Sequence, residues 1–489
     1  MRTEHTEVLI VGAGPTGLTL ACDLARRGVR AVLVERSSAL FPGSRGKGLQ
    51  PRSLEVLEDL GVLDRILAAG SPYPEMMNWH GGERLGTWQL AAPRPARPGV
   101  PHPEMWLVPQ WRTQEILYER LLELGGAVRF DTALVALEQD ADRVSATLES
   151  ADGPLTVAAD YLVAADGGRS AVRRAVGVTM IGGAVDPLPS LVADLRVTGL
   201  DRDNWHVWPK AAGGPAMLCP LPGTDDFQFF ARFEEGEPDT GTAAVRAAVA
   251  ARTHLPAEAV TEVRWASDFR PRAALAERFR EGRVFLAGDA AHIHSPAGGQ
   301  GLNTGLQDAY NLGWKLDRVL RHGAPEELLD SYQAERLPIA ADVLEISTAL
   351  HRGAFAADPG SGPASEPGRL VRRGEDTDQL AVGYRGGPLT AERRGGLDDA
   401  APLRAGDRAP DAELPGGGRL FEVLAGPHFT LVAGGCEPPA VPAGVRSVRL
   451  DAEVYGRGLF LVRPDGYVGL ATHDPAELPG WFAAVGVPE

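Results

Sequence analysis

VLIVGAGPTGLTLACDLARRGVRAVLVE, residues 8–35, holds two short apolar runs separated by a glycine-rich turn and a segment with helical spacing. Residues 8–11 form the continuous apolar run expected of a strand buried on both faces of a parallel sheet. Gly12, Gly14, Pro15, Thr16 and Gly17 follow, then apolar residues at three- and four-residue spacing up to a glycine stop at Gly28. A second apolar run, 31–34, ends at Glu35, which completes a βαβ unit. The glycines let the chain turn tightly and bring backbone amides against a pyrophosphate, whose charge then meets a helix N-terminus. Glu35, eighteen positions after the last glycine, is placed to accept ribose hydroxyls. A glycine turn that binds nothing is the competing reading, and the full strand–turn–helix–strand–Glu context argues against it.

Outward from this unit, 489 residues are enough for two or three domains. Hydrophobic residues at 44% and charged residues at 23% describe a globular protein with no disordered character. A formal net charge of −16 opposes nucleic-acid backbones and anionic membranes, so any anionic ligand needs a local cluster of positive groups. Cys22, Cys219 and Cys436 stand far apart, with neither CxxC nor His-rich spacing, which indicates neither a disulfide framework nor a metal site. Residues 8–25 are interrupted by glycines and preceded by Glu4 and Glu7, so they do not read as a signal or membrane segment. The cytoplasm is the default compartment.

Residues 51–70 and 110–125 carry helical spacing, 71–108 read as strand and loop, and 161–167 as a buried strand ending in an acidic turn. From about 179 to 270 the pattern alternates and is rich in turns, as in LVADLRV and DFQFFARF, which predicts an antiparallel sheet. RVFLAGDAA (283–291) is again strand into turn, followed by a long helical stretch. Residues 355–400 have linker composition, and strands recur beyond them up to a closing helix at PGWFAAVG. The expected organisation is a discontinuous first domain, 1–178 and 271–398, with 71–108 inserted toward the substrate side. A sheet domain occupies 179–270 and a third domain 399–489.

Two further stretches carry chemistry. In VFLAGDAAHIHSPAGGQGLNTGLQDA, Asp289 ends a buried strand where it can hold a ribityl hydroxyl, and a loop of Pro and Gly lets backbone lie against a flat ring. The helix start at Gly301, Leu302 and Asn303 offers free amides to the negative charge of a reduced flavin. Asp166-Gly167, with Arg169 and Ser170, is another strand end opening into a helix, suited to pyrophosphate and an incoming nicotinamide.

These three motifs, in this order and spacing, resemble the class A FAD-dependent monooxygenases, and more closely the branch that hydroxylates aromatic polyketides. The resemblance covers nearly the whole chain. It implies mixed α/β and α+β architecture: a Rossmann-type FAD-binding domain, an antiparallel-sheet substrate domain and a thioredoxin-like C-terminal domain. It implies FAD, with NADPH or NADH as electron donor and O2 plus an aromatic molecule as substrates. The ring would be hydroxylated through a flavin C4a-hydroperoxide in a water-excluding site, with no side chain clearly required as catalyst. Residue by residue, Gly12, Gly14, Pro15, Thr16, Gly17 and Glu35 would hold the ADP portion, with Arg36 beside the ribose. Arg45 and Gln110 match positions that reach the pyrophosphate and ribityl regions, Leu134 the adenine, and Asp166 the pyrophosphate side. Asp289 would bind the ribityl chain, with Pro296, Gly298, Gly301, Leu302 and Asn303 around the ring system. The assembly would be a monomer or homodimer, without metal, membrane or nucleic-acid partner.

Lys47, in SRGKG, departs from a position that is small or apolar in many relatives; it would answer a nicotinamide phosphate or the substrate, or lie solvated on a loop. His292 and His294 flank the flavin loop either as acid–base groups or as local backbone partners. Trp205, Trp208, Trp265 and Phe227 would stack on a polycyclic ligand or fill the core. The C-terminal domain lacks CxxC, which excludes dithiol exchange. Baeyer–Villiger oxygenation and epoxidation use the same cofactor chemistry and stay open, as does a flavin-binding sequestrant. Halogenation is disfavoured because Trp205-His-Val-Trp208 is not followed by Ile-Pro.

Overall fold

The computed structural model describes residues 2–355, 377–396, 403–451 and 455–488; most of the linker-like stretch lies outside them. The first sheet runs in the order Arg280–Glu281, Val284–Leu286, Gly153–Ala164, Arg2–Val11, Ala31–Val34, Val128–Arg129, with a hairpin, Thr132–Gln139 and Val144–Ser150, off its third member. The central contacts are parallel. Val8, Leu9, Ile10, Leu162, Val163 and Phe285 are fully buried, as continuous apolar runs in a covered parallel sheet must be. Helices Pro15–Arg26 and Gly301–His322 pack side by side, and glycine permits the closeness: a Cβ on Gly305 or Gly313 would collide with Thr16 or Asp23.

The second sheet has seven strands in the order Val260–Phe269, Ser190–Val197, Asp226–Arg232, Ala216–Pro220, Asn204–Trp208, Glu75–His80, Glu83–Trp88. All contacts are antiparallel except that of Asn204–Trp208 with Glu75–His80. Alternation sorts its faces. Leu191, Ala193, Leu195, Leu218, Phe227, Phe229 and Trp208 pack with Val245 and Val249 of helix Thr242–Arg252. Asp194, Cys219, Gln228 and Trp205 occupy the other face.

Two details differ from the sequence reading. Met180–Ala184 leaves this sheet and pairs instead with Arg272–Ala276, which in turn pairs with His292–Ile293. Gly182 makes that pairing possible, because its φ is +128° and a Cβ would strike the Ala273 carbonyl. The helix Thr242–Arg252, TAAVRAAVAAR, was missed inside an alternating region; alanine content rather than amphipathic period drives it.

The third sheet has Val445–Leu450 parallel to Phe429–Gly434, then Gly458–Val462 and Val468–Thr472 antiparallel, with Ala391–Glu392 at the edge. With the closing helix Leu478–Ala484 this is the thioredoxin-like arrangement. It is joined to the long helices by buried charge. Arg463 donates to Glu335 at 2.6 and 2.9 Å and to Asp465 at 2.5 Å, Lys315 donates to Glu335 at 2.7 Å, and Trp314 donates to Asp465 at 3.1 Å. Burial would raise the Glu335 carboxyl, but Arg463 and Lys315 hold it down at about 2. No helix among the described residues is long and apolar enough to cross a membrane.

Removing one member of such a network leaves its partners buried and uncompensated. Glu335→Ala is expected to lower unfolding free energy by about 3–5 kcal/mol, read from urea melts, with the C-terminal sheet loosening first as seen in hydrogen exchange.

Candidate active site

The three motifs leave from adjacent strand ends. Val11 pairs with Ala164 and Ala164 with Leu286, so the turns at Gly12, Asp166 and Gly288 open side by side at the C-terminal edge of the parallel sheet. That edge is where doubly wound folds bind ligands. Gly12 has φ +105°, and a Cβ there would strike the Ala165 carbonyl; a Cβ on Gly17 would strike the Gly12 carbonyl. Gly14 is different, since nothing lies within 4 Å of where its Cβ would be. Its demand for glycine comes from whatever approaches the turn from outside. The helix beginning at Pro15 has no side-chain cap and no acid in its first turn, which leaves its amides and dipole to an external anion.

Glu35 accepts from the amides of Ala13 and Ser37, both at 3.0 Å, and retains lone pairs for further donors. Arg36 beside it is exposed. Amides of Asp131 and Thr132 donate to the carbonyls of Ser37 and Glu35 at 3.0 and 2.9 Å, which lays the chain leading to half-buried Leu134 alongside the same end of the cleft. Asp166 Oδ2 accepts from the amides of Ala171 and Val172 at 2.7 and 3.2 Å, while its Oδ1 is buried without a partner. Ser170 caps the short helix that follows, accepting from Arg173 N at 2.9 Å.

Asp289 opens into the cleft; depth in the protein raises its carboxyl above the usual range, opposed by His292 and Arg45. Arg45 lies within electrostatic reach of Asp289 and Arg169, so one residue from each of three loops meets in the same space. Gln110 ties the Arg45 loop down, its side chain accepting from Gly46 N at 2.9 Å and its amide donating to Gly46 O at 3.1 Å. Across the cleft, Gly298 has φ +85°, Pro296 is exposed, and the helix starting at Gly301 again has neither side-chain cap nor first-turn acid. Leu302 packs against Gly46.

Asn303 is held in place by its side chain. Its carboxamide is fully buried and committed, donating to Gly48 O at 2.9 Å and Gly299 O at 2.7 Å and accepting from Gln50 N at 2.8 Å. The histidines also have a structural account. His294 Nε2 lies 2.9 Å from His292 Nδ1, His292 Nε2 lies 2.5 Å from Asp308, and Asp308 accepts from Arg336 at 2.8 Å and from Gly288 N at 3.0 Å. Burial opposes the Asp308 charge, yet His292 and Arg336 hold its carboxyl well below the usual range. This chain of bonds fixes the Gly288 turn. Asp308 and Arg336 went unread in the sequence, although Asp308 stands two helical turns after Gly301, the spacing that shares a face.

On the substrate side, Trp208 and Phe227 belong to the core under helix Thr242–Arg252, whereas Trp205 and Trp265 do not. Trp265 meets Phe41 edge-on at 5.1 Å. A cleft of about 1230 Å³ runs between the first domain and the sheet, lined by Phe41, Trp111, Tyr118 and Phe130 on one side and Asp194, Arg196 and Arg264 on the other. Lys47 is not a solvated loop residue: Nζ donates to Gln228 and lies 4.4 Å from the Trp205 ring centre. Asp194 is 2% exposed and burial pushes its carboxyl up to about 6, eased by Ser44 and Lys47.

A tight glycine cradle, two uncapped helix starts aimed at one space and an orphaned carboxylate oxygen fit a pyrophosphate-linked dinucleotide. The comparisons agree. Residues 5–347 match the family described as FAD binding domain. The chain is 44% identical to a flavin-dependent monooxygenase of Mycobacteroides abscessus, over 98% of this chain and 99% of the other. It is 36% identical to the 12-dehydrotetracycline 5-monooxygenase/anhydrotetracycline 6-monooxygenase of Streptomyces rimosus subsp. rimosus, over 94% of each. Its fold matches a ternary complex of aklavinone-11 hydroxylase with FAD and aklavinone at a TM-score of 0.77 and 27% identity, over 99% of each chain.

Two substitutions separate cradle from scaffold. Gly14→Val is expected to fold with a melting temperature within about 3 °C of the parent yet lose tenfold or more in FAD affinity, measured by flavin fluorescence; Gly17→Ala should compromise folding itself. For Asp194, a folded value near 6 above an unfolded value near 4 means proton uptake on folding, so stability falls as pH rises through that window. Asp194→Asn should therefore exceed the parent in stability at pH 8 by on the order of 2 kcal/mol, the gap narrowing toward pH 4 in paired melts.

Proposed function

The chain belongs to the FAD binding domain family and is a flavin-dependent monooxygenase, and from that premise we propose that it hydroxylates a polycyclic aromatic substrate using O2 and NADPH or NADH. The observation that carries this reading is the cleft. At about 1230 Å³ it exceeds the roughly 300–1,000 Å³ typical of small-molecule sites, and one wall is aromatic. A single-ring phenol would leave most of it filled with water, which the chemistry must exclude. Tetracycline-type and aklavinone substrates of the relatives named above are fused multi-ring molecules, in keeping with that size.

When bound, FAD supplies the redox chemistry, taking electrons from the nicotinamide and delivering one oxygen atom of O2 to the substrate ring. The protein's part is position, charge and dryness. Gly12, Gly14, Pro15, Thr16 and Gly17 would cradle the pyrophosphate at the helix start, Glu35 and Arg36 would hold the adenosine ribose, and backbone at Leu134 would touch adenine. Arg45, Gln110, Asp166 and Asp289 would orient the pyrophosphate and ribityl chain. Backbone at Pro296, Gly298, Gly301, Leu302 and Asn303 would border the ring, the 301–322 helix start meeting negative charge on its pyrimidine side. The loop 44–48 and Trp205 would close the space between that ring and the substrate sheet.

Stopped-flow oxidation of NADPH or NADH by purified yellow protein should accelerate tenfold or more on adding a polycyclic phenol, and ¹⁸O2 should place one labelled atom in the product. Asp289→Ala should abolish turnover through loss of tightly held FAD. A ring-expanded ester or an epoxide of the same mass would replace hydroxylation while leaving oxygenation intact; colourless protein that takes up no flavin would overturn the reading.

A further inference from the structure

The loop Ser44-Arg45-Gly46-Lys47-Gly48 is gripped from two sides. On the flavin side, Asn303 holds Gly48 O, Gln110 holds Gly46 N and Leu302 packs on Gly46. On the substrate side, the Gln228 amide donates to Ser44 O and the Lys47 ammonium donates to Gln228 Oε1 while lying over Trp205. Lys47 is therefore a positive charge held at the seam between the helix start that borders the flavin ring and the sheet that faces the substrate.

Directly across the strand pair from Gln228 stands Asp194. It lines the cleft and is almost wholly buried; the Ser44 hydroxyl and amide and the Lys47 ammonium approach it and ease its charge, but neither carboxylate oxygen reaches a donor in good hydrogen-bond geometry. The surrounding charges are otherwise occupied. Asp226 on the neighbouring strand is bonded to Arg196 at 3.3 Å and to Arg264, and Trp265 faces Asp194 from the other side. Cys219, also within reach of Lys47, is pushed up to about 12 by burial and stays a thiol. A carboxylate buried with only weakly placed donors is costly to maintain for folding alone. Its place on the cleft wall points to a donor that arrives with the substrate.

We propose that Asp194 and Lys47 together recognise an acidic ring hydroxyl, a phenol or the enol of a 1,3-dicarbonyl, on the ring to be oxygenated. This rests on the aromatic-substrate reading above and narrows it to polycyclic substrates that carry such a hydroxyl. The substrate O–H bond breaks and a new O–H bond forms on an Asp194 oxygen; the electron pair stays on the substrate oxygen, and the Lys47 ammonium keeps its three protons and pairs with the oxyanion. Charge is conserved, no co-reactant is consumed, and the ring becomes more electron-rich at the moment it faces the flavin. Gln228 links the loop that carries Lys47 to the strand beside Asp194.

The test uses FAD-loaded enzyme and alizarin (1,2-dihydroxyanthraquinone), a polycyclic phenol whose anion absorbs to the red of oxidised flavin. At pH 7 or just below, bound alizarin should show the anion band well beyond its fraction in buffer, with no proton released to a weakly buffered indicator. Lys47→Met should lose the anion band and bind at least tenfold more weakly, and Lys47→Arg should restore most of both. Asp194→Asn should keep an anion band but release about one proton per alizarin bound. Wild-type enzyme that binds alizarin in its neutral form overturns the proposal whatever the variants do, and leaves the aromatic-substrate reading standing. Equal anion bands in wild type and Lys47→Met, or equal proton release in wild type and Asp194→Asn, overturn it as well. Failure of wild type to bind alizarin at all overturns the proposal as well, while the aromatic-substrate reading is decided separately by flavin uptake and substrate-stimulated nicotinamide oxidation.

Discussion

The closeness with which helix Pro15–Arg26 crosses helix Gly301–His322 is the constraint on which the remainder depends. Thr16 lies against both Gly288 and Gly305, and Asp23 fits against Gly313, so a Cβ at any of those three positions would come within 2.1–2.5 Å of the Thr16 hydroxyl or the Asp23 carboxylate and force that side chain out of place. Asp23 is fully buried there; burial opposes its charge, and Arg27 and Arg26 outweigh that and hold its carboxyl low. The crossing brings two uncapped helix starts to one cleft. Each such start is worth about 0.3–1 kcal/mol toward an anion at an exposed site and more in a dry one. A local feature of sequence, the spacing of glycines along two segments almost three hundred residues apart, thus becomes an electrostatic property of the site.

Rigidity of that arrangement is supplied from elsewhere in the chain. The long helix carries Lys315, Asn311 and Trp314 into a buried set of bonds with Glu335, Arg463 and Asp465, so the thioredoxin-like domain is anchored to the helix with the uncapped start at Gly301. Arg52 donates to Asp465 O at 2.7 Å and pairs with Glu55, which also receives Arg408. A domain that kept a thioredoxin-like sheet but carries no CxxC serves here as a brace for the second half of the site. Arg408 of this domain reaches Glu55 on the helix Pro51–Asp59, immediately after the 44–50 loop.

Much of this was legible in the sequence because it is local. The buried strands, the glycine turn and the two later strand-end motifs are contiguous patterns, and their joint order narrowed the architecture before any contact was known. What was not legible depends on registry between distant segments. Nothing in QGLNTG says that the Asn303 carboxamide is consumed by Gly48, Gly299 and Gln50 rather than turned toward a ring. Trp208 and Phe227 looked equivalent to Trp205 until the pleat of each strand assigned them to opposite faces. Asp194 did leave a trace: in LVADLRV the apolar Leu191, Ala193 and Leu195 alternate with Val192, Asp194 and Arg196, so one face of that strand had to be polar. The trace identifies the face and not its partner, because Ser44 and Lys47 come from the far end of the chain's first domain.

The buried carboxylates then sort by what surrounds them. Asp23, Asp308 and Glu335 each lie among cations that overcome burial and keep them ionised, which is how a fold accommodates charge it needs for shape. Asp194, which lines the cleft, is raised instead, as is Asp289 at the open strand end, where its side chain is exposed. A charge left undercompensated weakens the fold, so its retention needs an account outside folding, and a cleft wall supplies one. For Asp289 the account proposed above is a hydroxyl-bearing chain at the end of a parallel strand; for Asp194 it is the proposed hydroxyl of the molecule to be oxidised. The same physical test that identifies Glu335 as a brace therefore separates the residues that hold this protein together from those that wait for its ligands.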